Sequence, residues 1–370
     1  MKIALITIHW AANFGAALQT FATQSVLNHM GHHVAIIDYR NAKVAKTMMP
    51  IRFGSAPRDI LRVAKDLLRF SPRLRTIRKF KNFLKRYIHL TERINTIADL
   101  KSLETQYDAF VSGSDQVWNP LTINDNGEFD RAYFLDFIKT KRKVSYASSM
   151  GSYKLSSEKS SEITQLLCSY DALAVRESGT CAVLSGLLER EVEHVLDPTL
   201  LLTAEEWVHA LDLHNASSEK KSNYVLAYAL HRDSLFRETA QQVAKQLGYE
   251  LIAIDQDPIL GYKTDYHLKD AGPNEFVSLI NGASYIVTSS FHGTAFALNF
   301  RKQFVSVVPT SGANRIESLL DAVGLRNRLI SSKDGIAKVI GEHIEFDEPL
   351  EKLSQLRAHS LDYLERALIS

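Results

Sequence analysis

Alternating strand and helix patterns along the 370 residues predict an α/β protein of two Rossmann-like domains, each a parallel sheet with helices on both faces. Three observations carry that expectation. Apolar runs of four to eight residues recur with helical patterns between them, as βαβ units require. Many of these runs end in Gly-, Ser-, Asn- or Asp-rich loops that open a helix. The length exceeds one ordinary core, and the pattern breaks at Asp197-Pro198, which marks a junction. The expected domains are 1–197, with a basic helical insertion at 52–93, and 198–345. A last helix, 346–370, is expected to pack back across both.

The chain opens with a strand at 2–8, a loop at His9-Trp-Ala-Ala-Asn-Phe-Gly15 and a helix at 16–30 that Gly31 ends. A strand at 33–38 completes a βαβ unit. The loop is not G-x-G-x-x-G, so a dinucleotide fingerprint is absent. It still sets Asn13 and Gly15 at a helix N-terminus above the sheet, for ligand contact or for ordinary capping.

Residues 52–93 carry many cations, among them Arg58, Arg73, Arg75, Arg78 and Lys79, against only Asp59, Asp66 and Glu92. Bulky hydrophobes interleave, so basic amphipathic helices broken at Pro72 are expected. They form either a solvated face over a local core or a contact for an anionic membrane surface. No nucleic-acid motif is present, and nucleic acid is not an expected partner.

A strand at 107–111 leads into Ser112-Gly-Ser-Asp-Gln-Val-Trp-Asn-Pro120. Asp115 and Gln116 suit hydrogen bonds to hydroxyls, and Trp118 suits a sugar platform; the alternative is a turn closed by Asp115 with Trp118 in the core. Strands follow at 143–147 and 171–175, the second ending on Arg176-Glu-Ser-Gly179. Arg176 is a fork of donors for carboxylate or phosphate, or the partner of a nearby acid.

The second half places strands at 224–230, 250–254, 285–288 and 303–308, with a long polar loop at 255–272. The strand 285–288 runs through Ser289 and Ser290 into a helix from about Thr294, with His292 on the turn and Gly293 open to close approach of a ligand. A helix N-terminus favours an anion, so this turn reads as an anion site holding one titratable group, or as a histidine that caps a turn.

Composition narrows the class. Hydrophobic content of 45% with 23% charged residues is that of a soluble globular protein. Cys168 and Cys181 fit no disulfide framework or zinc spacing, and a reducing cytosol is the simplest setting. No signal segment or membrane-spanning run is expected. No His/Asp/Glu spacing calls for a metal.

Six stretches in order resemble the polysaccharide pyruvyl transferase family. They are Asn13-Phe-Gly-Ala-Ala-Leu-Gln19, Gly113-Ser-Asp-Gln-Val-Trp-Asn-Pro120, Ser145-Tyr-Ala-Ser-Ser-Met-Gly151, Val175-Arg-Glu177, Leu196-Asp-Pro-Thr-Leu-Leu-Leu202 and Ser289-Ser-Phe-His-Gly-Thr-Ala295. The resemblance implies a GT-B-like fold with a cleft between the domains. It also implies transfer of pyruvate from phosphoenolpyruvate onto a sugar, commonly as a cyclic ketal, with phosphate released.

One position departs: some members carry Arg two residues before the histidine, where this chain has Ser290. Either Arg176, Arg315 or a lysine then holds the donor, alongside Ser289, Ser290 and Gly293, or the donor is a different one. His292 is the expected proton-transfer residue or phosphate stabiliser and Asp115 the expected base. Asn13, Gly15, Gln116 and Trp118 would face the acceptor, a glycan or lipid-linked oligosaccharide. No cofactor is required, although a divalent ion on the phosphate is compatible. The enzyme is expected in the cytoplasm, peripherally at the inner membrane face. The competing readings are a nucleotide-sugar glycosyltransferase and a non-catalytic glycan-binding protein.

Overall fold

The apolar runs form strands buried on both faces, as helix-covered parallel sheets require. The computed structural model describes residues 1–53, 57–213, 223–230, 232–308 and 313–369, with the backbone alone at 57–61 and 313. The chain divides into two units. One comprises Met1–Met48, Leu84–Leu201 and Gln355–Ser370; the other comprises Met49–Phe83 and Leu202–Ser354.

In the first unit, strands β1 (Lys2–Ile6), β2 (His33–Asp38), β3 (Leu90–Arg93), β4 (Ala109–Ser112) and β5 (Arg142–Ser145) form a parallel sheet ordered β3-β2-β1-β4-β5. Two short strands, β6 (Ala174–Val175) and β7 (Glu193–His194), pair in parallel beside it. The order reverses between β1 and β4, which is where an open α/β sheet offers a crevice for ligand. The core gathers Ile6, Phe110, Trp118, Phe134, Tyr133 and Tyr170, all fully or nearly fully buried.

The second unit holds β8 (Tyr224–Tyr228), β9 (Glu250–Ile254), β10 (Tyr266–Leu268), β11 (Tyr285–Thr288), β12 (Gln303–Val307) and β13 (Leu329–Ile330), all parallel in the order β10-β9-β8-β11-β12-β13. Its reversal lies between β8 and β11, so the histidine turn after β11 sits at the second switch point. Strands β3, β10 and β13 were not expected. All three lie at or next to sheet edges and are short or polar, so they carry no continuous apolar run.

The basic insertion departs most from expectation. Its helices are Pro57–Leu68 and Phe70–Tyr87, broken at Arg69; Pro72 lies in the first turn of the second, where a missing N–H costs nothing. Residues 49–83 belong to the second unit, not to the first. Acids of that unit neutralise the cations: Arg69 pairs with Asp257 at 2.6 Å, Lys79 with Glu275 at 2.7 Å, and Arg75 with Asp270. Arg73 is buried and donates to the Met49 carbonyl at 2.8 Å. The side chain of Arg58 lies outside the described residues.

The first unit runs to Leu201, four residues beyond the expected junction at 197, because Pro198–Leu200 forms a turn of it. The last helix, Asp347–Ile369, begins among residues of the second unit. From Gln355 onward it packs on the first: Tyr363 donates to the Ser145 carbonyl at 2.8 Å, and Ser360 accepts from the Leu196 amide at 3.0 Å. No helix among the described residues is long and apolar enough to cross a membrane.

Candidate active site

Each unit gathers its motif residues at the carboxyl ends of its strands. In the first, helix Phe14–His29 starts at Asn13, whose side chain accepts from the Ala16 amide at 3.1 Å. Such a cap is worth about 1 kcal/mol. Asn13 is therefore a cap on an exposed turn, with Gly15 buried in the helix's first turn. One turn on, the buried Gln19 amide donates to the Thr7 hydroxyl at 2.9 Å, and Thr7 donates to the Ser114 carbonyl at 2.7 Å.

Ser114 donates to Asp197 at 3.2 Å, and Arg176 reaches the same carboxylate oxygen at 2.6 Å. The other Asp197 oxygen accepts from the Thr199 amide at 3.0 Å and its hydroxyl at 2.7 Å. Six residues, from one helix and four loops, are thus tied by one buried polar chain from Gln19 to Thr199.

That chain changes the role of Arg176. Its side chain is 2% exposed and faces Asp197, Glu177 at 3.7 Å and Asp115 at 4.0 Å. Burial opposes its charge, but the three carboxylates outweigh burial and raise its pKa further. Arg176 is therefore paired with the protein's own acids, the alternative weighed for it beside donor binding. Three carboxylates against one guanidinium leave this edge net negative, which suits a neutral sugar better than an anionic donor.

Trp118 takes the place its alternative gave it, in the core. It is fully buried, stacks on Phe134 with centroids 5.4 Å apart and meets Tyr170 edge-on at 6.2 Å. No face remains for a sugar. Gln116 is half-buried, and its carbonyl accepts from Asn119 at 2.7 Å and Thr122 at 3.1 Å. Asp115 keeps a candidate role. It is half-buried and holds a left-handed φ of 76°, uncommon for a non-glycine residue and typical of functional turns.

A further cluster of the first unit, at the carboxyl ends of β1 and β2, was not expected from the sequence. Trp10, right after β1, carries the Arg40 guanidinium 3.5 Å above its ring. Arg40 grips Asp38 with two bonds of 2.7 and 2.8 Å, and His9 meets the same carboxylate at 3.1 Å. Burial alone would raise the Asp38 pKa, but His9 and Arg40 overcome it and pull it down to about 2. Trp10 is a half-buried aromatic in a loop at a strand's carboxyl end. That placement was the available signal.

In the second unit, the helix after β11 spans Phe291–Asn299, three residues earlier than expected. Ser290 is its cap, accepting from the Gly293 amide at 3.4 Å. His292 therefore lies in the first helical turn, 9% exposed, with its ring edge-on to Phe291 at 5.2 Å. Gly293 also has a packing reason: a Cβ there would meet the Thr288 hydroxyl oxygen at 2.2 Å. Ser289 is 3% exposed.

Arg315, from helix Ala313–Ala322, sets its guanidinium 5.7 Å from the Phe291 ring centroid. Of the two arginines weighed for the donor, Arg315 lies at the histidine turn within the second unit, and Arg176 belongs to the first unit. Around the same edge, Arg232 pairs with Asp255 at 2.7 Å, and burial pushes the Asp255 carboxyl upward. Tyr228 ends β8 and bonds Ser290; burial raises its hydroxyl pKa.

The family model described as polysaccharide pyruvyl transferase matches residues 13–311. Among curated proteins, none matches the chain. Among solved structures, the UDP-GlcNAc 2-epimerase from Methanocaldococcus jannaschii is similar at 12% identity and a TM-score of 0.55, covering 98% of this chain and 100% of that one. The S. aureus MnaA–UDP structure follows at 11% and 0.53, covering 99% and 96%. The Neisseria meningitidis UDP-GlcNAc 2-epimerase bound to UDP-GlcNAc matches at 12% and 0.52, covering 99% and 100%. At such identities these likenesses speak for the fold, which is GT-B-like.

Proposed function

The chain belongs to the polysaccharide pyruvyl transferase family, and from that premise we propose that it moves pyruvate from phosphoenolpyruvate onto two hydroxyls of a glycan sugar, forming a cyclic ketal and releasing phosphate. The observation that supports this reading is the turn at the second switch point: a histidine in the first turn of a helix, beside an arginine, is suited to an anionic donor.

In the proposed reaction a proton reaches the methylene carbon, and C2 becomes an oxocarbenium-like centre. One sugar hydroxyl attacks C2 as its proton is taken, the C2–O bond to phosphate breaks, and a second hydroxyl closes the ring. Two hydroxyl protons are lost; one balances the new methyl group and the other leaves with phosphate. His292 moves a proton at the donor or stabilises the departing phosphate, and Asp115 takes a hydroxyl proton. Arg315 takes the place of the arginine absent at Ser290. The reaction runs on protein groups alone and accommodates a divalent ion on the phosphate.

The acceptor is a glycan, carried on a polymer or on a lipid at the cytoplasmic face of the membrane. The second reading, sugar transfer from a nucleotide-sugar, draws on the fold shared with enzymes whose structures hold UDP or UDP-GlcNAc. A donor screen over several glycan acceptors separates the two. Stoichiometric phosphate release from phosphoenolpyruvate, with pyruvate covalently on the glycan, supports the first. Nucleotide release with phosphoenolpyruvate untouched supports the second.

A further inference from the structure

Asp115 and Glu177 share a pattern that Asp197 lacks. Asp197 is fully buried, and both of its oxygens are bonded, one to Ser114 and Arg176 and the other to Thr199. Asp115 and Glu177 face the same guanidinium with side chains 17% and 8% exposed, and each is held through one oxygen. Asp115 Oδ1 accepts from the Gln116 amide at 2.8 Å and lies 4.0 Å from Arg176 Nη2; among the described residues its other oxygen has no partner. Glu177 Oε1 accepts from the Ser149 hydroxyl and lies 3.7 Å from Arg176 Nε. Its Oε2 is buried and meets no donor among the described residues.

The backbone brings the two acids into one row. Asp115 bridges to Ser148 and Ser148 to Val175, so the loops after β4 and β5 continue in parallel beside β6. The Ser149 amide donates to the Asp115 carbonyl at 3.1 Å, and its hydroxyl donates to Glu177 while accepting from the Gly151 amide at 3.0 Å. Asp115, Ser149 and Glu177 thus stand at three strand ends of the same edge. Glu177 is the N-cap of helix Ser178–Leu188, yet its side chain makes no capping bond. Shorter polar side chains cap better, so capping does not explain a glutamate here. A buried carboxylate oxygen without a donor costs stability, and such a group calls for a role beyond the fold.

Closing a ketal supplies one. Two acceptor hydroxyls each lose a proton, and Asp115 takes only one of them. On the basis of the transfer set out above, we propose that Glu177 is the second base and takes the proton of the hydroxyl that closes the ring. By then the first hydroxyl has added and the C2–O bond to phosphate has broken. The second hydroxyl oxygen bonds C2, its O–H bond breaks, and the proton passes to Glu177 Oε2 and on to the released phosphate. Ser149 holds Oε1, which leaves Oε2 for the ligand.

Product counting on the full chain tests this, with phosphoenolpyruvate and the p-nitrophenyl glycosides of galactose, glucose and mannose. Phosphate, free pyruvate and ketal are measured together, the ketal from its methyl proton signal. Wild type should release one phosphate per ketal. Glu177→Gln keeps an acceptor for Ser149 and should form ketal about 10²–10⁴-fold more slowly. It should also release phosphate and pyruvate in excess of ketal, because water replaces the second hydroxyl at C2 and the open hemiketal falls apart. Asp115→Asn should slow phosphate and ketal together, still one to one. Thermal unfolding needs no acceptor: Glu177→Gln should unfold at or above the wild-type temperature, as expected where a site residue is kept at the expense of stability. A one-to-one ratio in Glu177→Gln, complete loss of phosphate release, or a lowered Tm that marks a structural ion pair overturns the proposal and leaves the transfer reading standing. Wild type that forms no ketal from phosphoenolpyruvate counts against the transfer itself, and the second base falls with it.

Discussion

Replacing Arg176 by Met separates a structural arginine from a donor-binding one. The guanidinium is 2% exposed, with Asp197 fully buried and Glu177 8% exposed around it. Removing the cation leaves buried carboxylates without a counter-charge, a loss that typically costs 3–5 kcal/mol, about. Ser114 and two groups of Thr199 still bond Asp197, so the lower end of that range applies, about 3 kcal/mol. For a domain of roughly 150–250 residues each kcal/mol moves Tm by about 2–4 °C, so a fall of about 6–12 °C is expected. Adding Asp197→Asn should recover part of it, because the pair then loses its buried charge together. The assay is calorimetric unfolding of the protein without substrate, beside donor KM measured below the transition. An unchanged Tm with a donor KM raised about 10- to 150-fold would refute the reasoning and return Arg176 to the donor.

His292→Ala should lower turnover by about 10²–10⁴-fold with Tm nearly unchanged, and a wild-type rate in that variant removes His292 from the chemistry. Trp118→Ala should cost about 3–5 kcal/mol, a large-to-small change in a packed core, with no selective rise in acceptor KM; the reverse pattern restores the sugar platform. Asp38 has a folded pKa of about 2, below its ordinary value of 3.8, so its contribution is complete above that value and lost as pH falls towards 2. An acid-unfolding series on Asp38→Asn should therefore lose stability less steeply than wild type over that window. Equal slopes would show that the His9–Asp38–Arg40 cluster does not stabilise the fold.

The central strands were legible because each is an apolar run buried on both faces: 33–38, 250–254 and 285–288 appear at their expected ends. Edge strands lack that signal, and β3, Leu-Thr-Glu-Arg, reads as polar chain. The site was legible in part. Both switch-point loops could be found from glycine, serine and the strand before them. What each side chain does there depends on partners far along the chain. Arg69 meets Asp257 across 188 residues, which moves the insertion to the other unit and cancels charges that looked free. Trp118 is buried by Phe134 and Tyr170, not by its own motif. Gly293 answers to Thr288, five residues back, a close approach that composition does not reveal.

The central claim is that the histidine turn of the second unit takes phosphoenolpyruvate. Calorimetric titration of phosphoenolpyruvate into wild type, Arg315→Met and Arg176→Lys measures it without knowledge of the acceptor. The account predicts saturable binding to wild type. It predicts loss of about 10- to 150-fold in Arg315→Met, the cost of one charged hydrogen bond, and wild-type affinity in Arg176→Lys that remains folded. Saturable binding of a nucleotide-sugar with none of phosphoenolpyruvate, or affinity for phosphoenolpyruvate that follows Arg176 and ignores Arg315, would contradict it.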